Sequence, residues 1–122
     1  MSKLSDESIS LNFLKAQIRQ FCDERQWAPF HGPKDLAIGI VTEGSELLDL
    51  FRFYSEEQAR AQLQDPKRRQ MIADELADVF YFVLRFADLN GLDLTTCLAD
   101  KMVKNAAKYP VASARGSHHK AG

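Results

Sequence analysis

Apolar residues recur along the chain at three- and four-residue intervals, the spacing that lines side chains up on one face of an α-helix. Leu11, Leu14, Ile18, Phe21 and Cys22 draw the first such stripe. Ser5, followed by Asp6 and Glu7, suits an N-cap with acids in the first turn, so a helix is predicted from there to about Arg25. The segment from Gln26 to Gly32 carries Trp27, Pro29, Phe30 and His31, a helix-breaking composition that leaves large rings and an imidazole available. Pro33 fits the first turn of a second helix, whose stripe of Leu36, Ile40, Gly44, Leu47, Leu48 and Phe51 runs to about Tyr54.

Ser55 to Lys67 is a polar connector, with room for a short surface helix before a break at Pro66. A third helix is predicted from about Arg68 to Leu89. It is apolar nearly all round from Leu76 to Ala87, which places it at the centre of a bundle or at a subunit interface, and Gly91 is its stop. The fourth runs from about Leu94 to Lys108 with Leu94, Leu98, Met102 and Ala106 inward, and Pro110 ends it. No segment alternates in the manner of a strand and no repeat is present, so the fold class is all-α. At 122 residues the chain is predicted to be one domain, 1–122, with a loose tail over 111–122.

A net charge of −1 offers no general attraction to nucleic acid or to an anionic membrane, so an anionic ligand needs a local site. No run approaches the length of a membrane span. Cys22 and Cys97 form neither a disulfide framework nor a paired metal motif, which fits a reducing compartment and a cytoplasmic location.

Two acidic pairs change this plain picture. Glu43 with Glu46, and Glu75 with Asp78, each lie three residues apart and so share a helix face. Leu47, Leu48 and Phe51 follow the first pair, while Leu76, Val79, Phe80 and Val83 surround the second. Carboxylates buried in such company need a cation. If the two helices pack together, a hard divalent ion with oxygen ligands, Mg²⁺ or Mn²⁺, answers that need. Zinc is disfavoured without Cys or spaced His, and di-iron chemistry without Glu-x-x-His. Because Mg²⁺ is commonly shared between carboxylates and substrate phosphates, the site implies a phosphorylated ligand. Exposed acids beside Lys or Arg are the plain alternative, and Asp49 and Asp74 are weaker candidates for the same role.

Lys101, Asn105 and Lys108 form one stripe on the fourth helix with Tyr109 beside it, suited to phosphates or, standing alone, to solvent. Trp27, Phe30, His31 and Phe53 are candidates for a base-stacking pocket as well as for core. His118 and His119 fall in the predicted tail.

Glu-Gly-Ser-Glu, then Glu-Leu-Ala-Asp, then Lys-Met-Val-Lys-Asn-Ala-Ala-Lys-Tyr-Pro, taken in order, resemble the MazG-like all-α nucleotide pyrophosphohydrolases from about Leu11 to Pro110. Glu-Arg-Gln-Trp-Ala-Pro-Phe-His adds a likeness to the small single-domain branch that includes dCTP pyrophosphatase. The resemblance implies a four-helix bundle-like MazG fold assembled as a dimer or dimer of dimers. It also implies Mg²⁺-dependent hydrolysis of a nucleoside triphosphate, a pyrimidine dNTP such as dCTP or a modified dCTP, to monophosphate and pyrophosphate in nucleotide-pool house-cleaning.

By position, Glu43, Glu46, Glu75 and Asp78 would be metal ligands. Of the glutamates, Glu46 first and Glu43 next would also orient the attacking water. Lys101, Asn105 and Lys108 would face phosphates, while Trp27, His31 and Phe53 would line the nucleoside pocket with Tyr109 nearby. Phe53 stands where the branch usually has Trp, Phe82 where it has Tyr, Asp35 where it has Asn and Lys108 where it has Arg. The aromatic changes remove hydrogen-bond donors on which base selectivity depends. The apolar girth of the third helix, Val79 to Phe86, independently predicts a homodimer or homotetramer. The alternative from another class is a catalytically idle helical oligomer that binds nucleotide or a partner protein.

Overall fold

A computed structural model describes residues 3–117, and among them every regular element is helical. His118 and His119 lie outside the described residues. The helices are α1 (Leu11–Glu24), α2 (Pro33–Asp49), α3 (Glu56–Gln62), α4 (Pro66–Leu89), α5 (Leu94–Lys108) and α6 (Val111–Ala114), with a 3₁₀ turn at Ala28–Phe30. They fall into two compact units, one through Asn90 and the other from Gly91.

In the first unit α4 is the central rod, packed against both α2 and α1. The core there is Cys22, Leu36, Ile72, Leu84 and Ala87. The inward face of α1 is Leu11, Leu14, Lys15, Ile18 and Cys22, so a lysine completes the apolar stripe, whereas Phe21 is 41% exposed. Gly39 marks the closest approach of α2 to α4: a Cβ there would stand 2.5 Å from the Phe82 ring. Only a residue without a side chain lets that ring lie on the α2 backbone.

Several helix ends differ from the sequence expectation, each for a local reason. Ser5 does not cap α1. Its hydroxyl and that of Ser8 meet at 3.1 Å in a separate turn, and Ser10 is the N-cap, accepting from the Phe13 N–H. The second helix stops at Asp49 rather than Tyr54, because the backbone tightens into i→i−3 bonds at Leu50, Phe51 and Tyr54. The connector does hold a short helix, α3, closed by a reciprocal capping box between Ser55 and Gln58. Pro66 begins α4 instead of breaking the chain, with Asp65 accepting from the Arg68 N–H. Gly91, at φ +65°, is the left-handed stop predicted for it.

In the second unit α5 has the expected extent, capped by Asp93, whose carboxylate takes both the backbone N–H and the hydroxyl of Thr96. Of its predicted inward stripe, Leu98 and Met102 are 64% and 56% exposed. The segment expected to be loose begins with a single helical turn, Val111–Ala114.

Candidate metal and nucleotide site

The turn after α1 fixes the first of the candidate aromatic residues. Gln26 takes φ 55°, its N–H donates to the Asp23 carbonyl and the Trp27 N–H donates to the Cys22 carbonyl. These are the two crossed bonds of a Schellman motif, and its usual apolar contact is made by Trp27 against Phe21, ring centres 5.6 Å apart. Trp27 also stands edge-on to His31 at 6.2 Å. Phe21 continues to Tyr81, and Tyr81 to Phe82, so rings from α1, the 3₁₀ turn and α4 form one connected cluster. Phe53 is not part of it. It is 86% exposed beyond the end of α2, beneath the Arg52 guanidinium at 5.0 Å.

The packing of α2 on α4 brings the two acidic pairs together. Glu43, Glu75 and Asp78 each offer a carboxylate oxygen, and these oxygens lie within 4.8 Å of one another. Glu43 sits on the inward line of α2 between Leu36, Ile40 and Leu47, which explains its partial burial. One carboxylate oxygen of Glu43 and one of Glu75 are shut away from solvent with no protein hydrogen-bond partner. Glu46 is more exposed and lies outside the three-oxygen cluster, yet it borders both glutamates closely enough to perturb them.

Burial, then the contact with Glu46, then Asp78 and Glu75, push the Glu43 carboxyl up to about 7. Glu75 is raised by burial and by Glu46, Asp78 and Asp74. The Glu43–Glu46 contact forms only when one of the two holds a proton, since ionised carboxylates are acceptors alone. A divalent cation relieves the same repulsion, and an all-carboxylate donor set is what Mg²⁺ and Mn²⁺ accept. Asp49 is engaged elsewhere, 3.0 Å from Arg52, and Asp74 accepts from the Gln70 amide.

Beside the ring cluster lies a polar group that the periodicity of α4 conceals. Arg85 is 1% exposed, and its Nε–H donates to His31 Nδ1 at 3.0 Å. Its two other guanidinium nitrogens are buried with no protein hydrogen-bond partner. Nearby, Arg19 grips Asp88 through two bonds of 2.9 and 2.6 Å, which holds that carboxyl below its ordinary range, with Arg85 and Lys15 acting in the same sense. Cys22 and the Tyr81 hydroxyl meet at 3.2 Å, and burial pushes the phenol up. The one sequence signal for Arg85 is a lone arginine inside the run from Leu76 to Ala87.

In the second unit Lys101 and Lys108 are exposed and Asn105 is partly buried, all on α5. Tyr109 caps that helix by donating its N–H to the Asn105 carbonyl, and the Lys108 ammonium lies 5.9 Å from its ring.

Residues 38–122 match the sequence model of the MazG-like family. The chain belongs to that family. It is 36% identical over 98 residues to dCTP pyrophosphatase 1 of Rattus norvegicus, covering 80% of this chain and 58% of the relative. The same protein of Homo sapiens is 33% identical over 101 residues, 83% of this chain and 59% of the relative. The chain thus spans under two thirds of the length of these curated relatives. A crystal structure of a pyrophosphatase from Archaeoglobus fulgidus superposes with a TM-score of 0.78 at 31% identity, covering 88% of this chain and 99% of that one. Among the described residues of this MazG-like chain no helix is long and apolar enough to cross a membrane.

The raised acids fix the direction of a pH effect. A carboxyl whose pKa is higher folded than unfolded contributes stability at low pH that is lost as pH climbs through the folded value, about 7 for Glu43. His31, lowered by burial and by Arg85, acts oppositely below its ordinary 6.5, so the window above that isolates the acids. With chelator present, the melting temperature should fall between pH 6.5 and 8. Excess Mg²⁺ should restore it at pH 8, and Glu43→Gln should flatten the fall. A chelated protein whose melting temperature holds or rises across that window would contradict the assignment.

Proposed function

We propose that this chain is a divalent-metal-dependent nucleoside triphosphate pyrophosphohydrolase acting on a pyrimidine deoxynucleoside triphosphate such as dCTP or a modified dCTP. The observation that carries the reading is the pair of buried, unpartnered carboxylate oxygens on Glu43 and Glu75 beside Asp78. The names of the relatives and of the structural neighbour supply the reaction class. Glu43, Glu46, Glu75 and Asp78 would hold Mg²⁺ or Mn²⁺, with Glu46 at the exposed edge. Bound there, such an ion supplies charge neutralisation for a triphosphate and acidifies water.

The residues themselves account for the rest of the chemistry. Glu46, and Glu43 after it, orient a water and take its proton as its oxygen bonds to phosphorus and the bond to the leaving pyrophosphate breaks. Lys101 and Lys108 offer positive charge and Asn105 an amide suited to phosphate oxygens. Trp27 and His31 belong to the ring cluster that would take the base, with Phe53 and Tyr109 as further aromatic surfaces. A nucleotide-pool role in the cytoplasm fits a chain with two free cysteines.

We also assign a homodimer or dimer of dimers. An apolar groove of about 760 Å³ runs along α4, lined by Ile9, Leu14, Leu76, Ala77, Phe80 and Val83. Leu98, Met102 and Val103 on α5 are exposed as well. Apolar surface of this kind is ordinarily covered by another copy. Light scattering at micromolar concentration should give two or four times 13.8 kDa, and a monomer would contradict it.

Pyrophosphate release measured over the common and modified dNTPs with Mg²⁺ tests the activity. A pyrimidine dNTP should be turned over, and Glu46→Gln should cut kcat by about 100-fold or more, the scale of a lost general base. Release from no dNTP would favour an idle nucleotide- or partner-binding oligomer. Full turnover by Glu46→Gln would remove that residue from the chemistry.

A further inference from the structure

Arg85 has no counterpart in the reaction outlined above, yet it is the largest fully buried side chain among the described residues. Arginine remains protonated at any working pH and offers only donors. Its Nε–H is directed at His31 Nδ1. That nitrogen must therefore be the unprotonated acceptor, which leaves the imidazole neutral with its proton on Nε2. Among the described residues Nε2 has no hydrogen-bond partner, so it is the polar atom His31 keeps for a ligand.

We infer that Arg85 is a positioning residue, which pins His31 as a neutral Nε2–H donor and so makes the pocket select a base edge that presents an acceptor. A carbonyl oxygen or an unprotonated ring nitrogen of a pyrimidine meets that requirement, and an exocyclic amine does not. The statement about the base rests on the proposed nucleotide function, while the pinned tautomer does not.

The surroundings favour the arrangement. His31 stands in the 3₁₀ turn's C-cap position, partly buried, with Trp27 edge-on to one side. The charged groups that face it are Arg85 from α4 and Asp35 from the first turn of α2. Burial and Arg85 disfavour the imidazolium, and Asp35 opposes them more weakly. A histidine left to itself exchanges between tautomers and charges near pH 6.5, presenting an acceptor part of the time and two donors at others. Held by a buried guanidinium, it presents one fixed donor. The arrangement also explains why a costly buried cation is retained in a helix face otherwise occupied by Leu84 and Ala87.

Ring ¹⁵N spectra of the full chain, with His31 assigned by comparison with His31→Gln, test the pin directly. The wild type should show a pyridine-type Nδ1 and a protonated Nε2 as a single tautomer at pH 8, and should gain a second proton only below the ordinary imidazole value of 6.5. Arg85→Met should release it to mixed tautomers that protonate at a higher pH than the wild-type ring, since the repelling guanidinium is gone while burial remains. A protonated Nδ1 in the wild type, or an unchanged ring in Arg85→Met, would overturn the inference. Should Arg85→Met not fold, Arg85→Lys, which lacks Nε, takes its place, and the wild-type spectrum alone still decides the tautomer.

Steady-state kinetics then read the selectivity. Arg85→Met and His31→Phe should each raise KM for the preferred dNTP roughly fivefold to tenfold, the scale of one hydrogen bond, with little change in kcat. The double variant should show the same factor, since Arg85 acts through His31. Multiplying factors would show that Arg85 does something else. A protein that hydrolyses dNTPs with His31 unpinned defeats this inference alone, whereas one with His31 pinned and no hydrolysis defeats the proposed reaction and leaves the pin standing.

Discussion

Two carboxylate oxygens, on Glu43 and on Glu75, are enclosed between α2 and α4 where no backbone or side-chain donor reaches them. Glu46 and Asp78 add like charge at the same place. Left ionised and unanswered, such a group works against the packing of the helices that carry it, because each acid loses hydration and gains a repelling neighbour. Only a proton or a cation resolves the conflict. The stability of the seam between α2 and α4 depends on which of the two is present.

The remainder of the first unit can be understood as what keeps that conflict in place. Leu36, Ile72, Leu84 and Ala87 bury the seam on which α4 meets α1 and α2. Gly39 lets the Phe82 ring lie against the α2 backbone, one helical turn before Glu43. A short core of five buried apolar residues among those described is a modest source of stability to set against three converging acids with Glu46 at their border. Natural folds carry such internal opposition where function needs it, and tolerate it because the surrounding packing leaves the residues no alternative position.

The acidic constellation was legible from the sequence because helical spacing is a rigid ruler: residues three apart share a face whatever the tertiary context. The stops at Gly91 and the start at Pro33 were legible for the same reason, since they depend on φ alone. The true N-cap of α1 was not, because Ser5, Ser8 and Ser10 are chemically alike and only the chain's path decides which hydroxyl meets a free N–H. Lys15 and Arg85 were hidden by their own polarity. Each occupies an inward position that a hydropathy pattern assigns to solvent or overlooks, and each is reconciled there by a charge or ring on another element: Asp88 for the first, His31 for the second. Phe53 reads as a pocket residue by type, yet the early end of α2 carries it to the surface. Membership of the MazG-like family accounts for the order of the acidic and basic motifs. It does not by itself disclose that a buried arginine meets a partly buried histidine across two elements.

The second acidic pair and the buried arginine thus occupy successive stretches of one helix, α4. Glu75 and Asp78 turn toward α2, while Arg85 reaches His31 in the 3₁₀ turn that follows α1. The most direct measurement of the central claim is anomalous diffraction from crystals grown with Mn²⁺. The acids should enclose a manganese peak bonded to carboxylate oxygens of Glu43, Glu75 and Asp78. Manganese found only at other sites, with these three side chains turned apart into solvent, would contradict it.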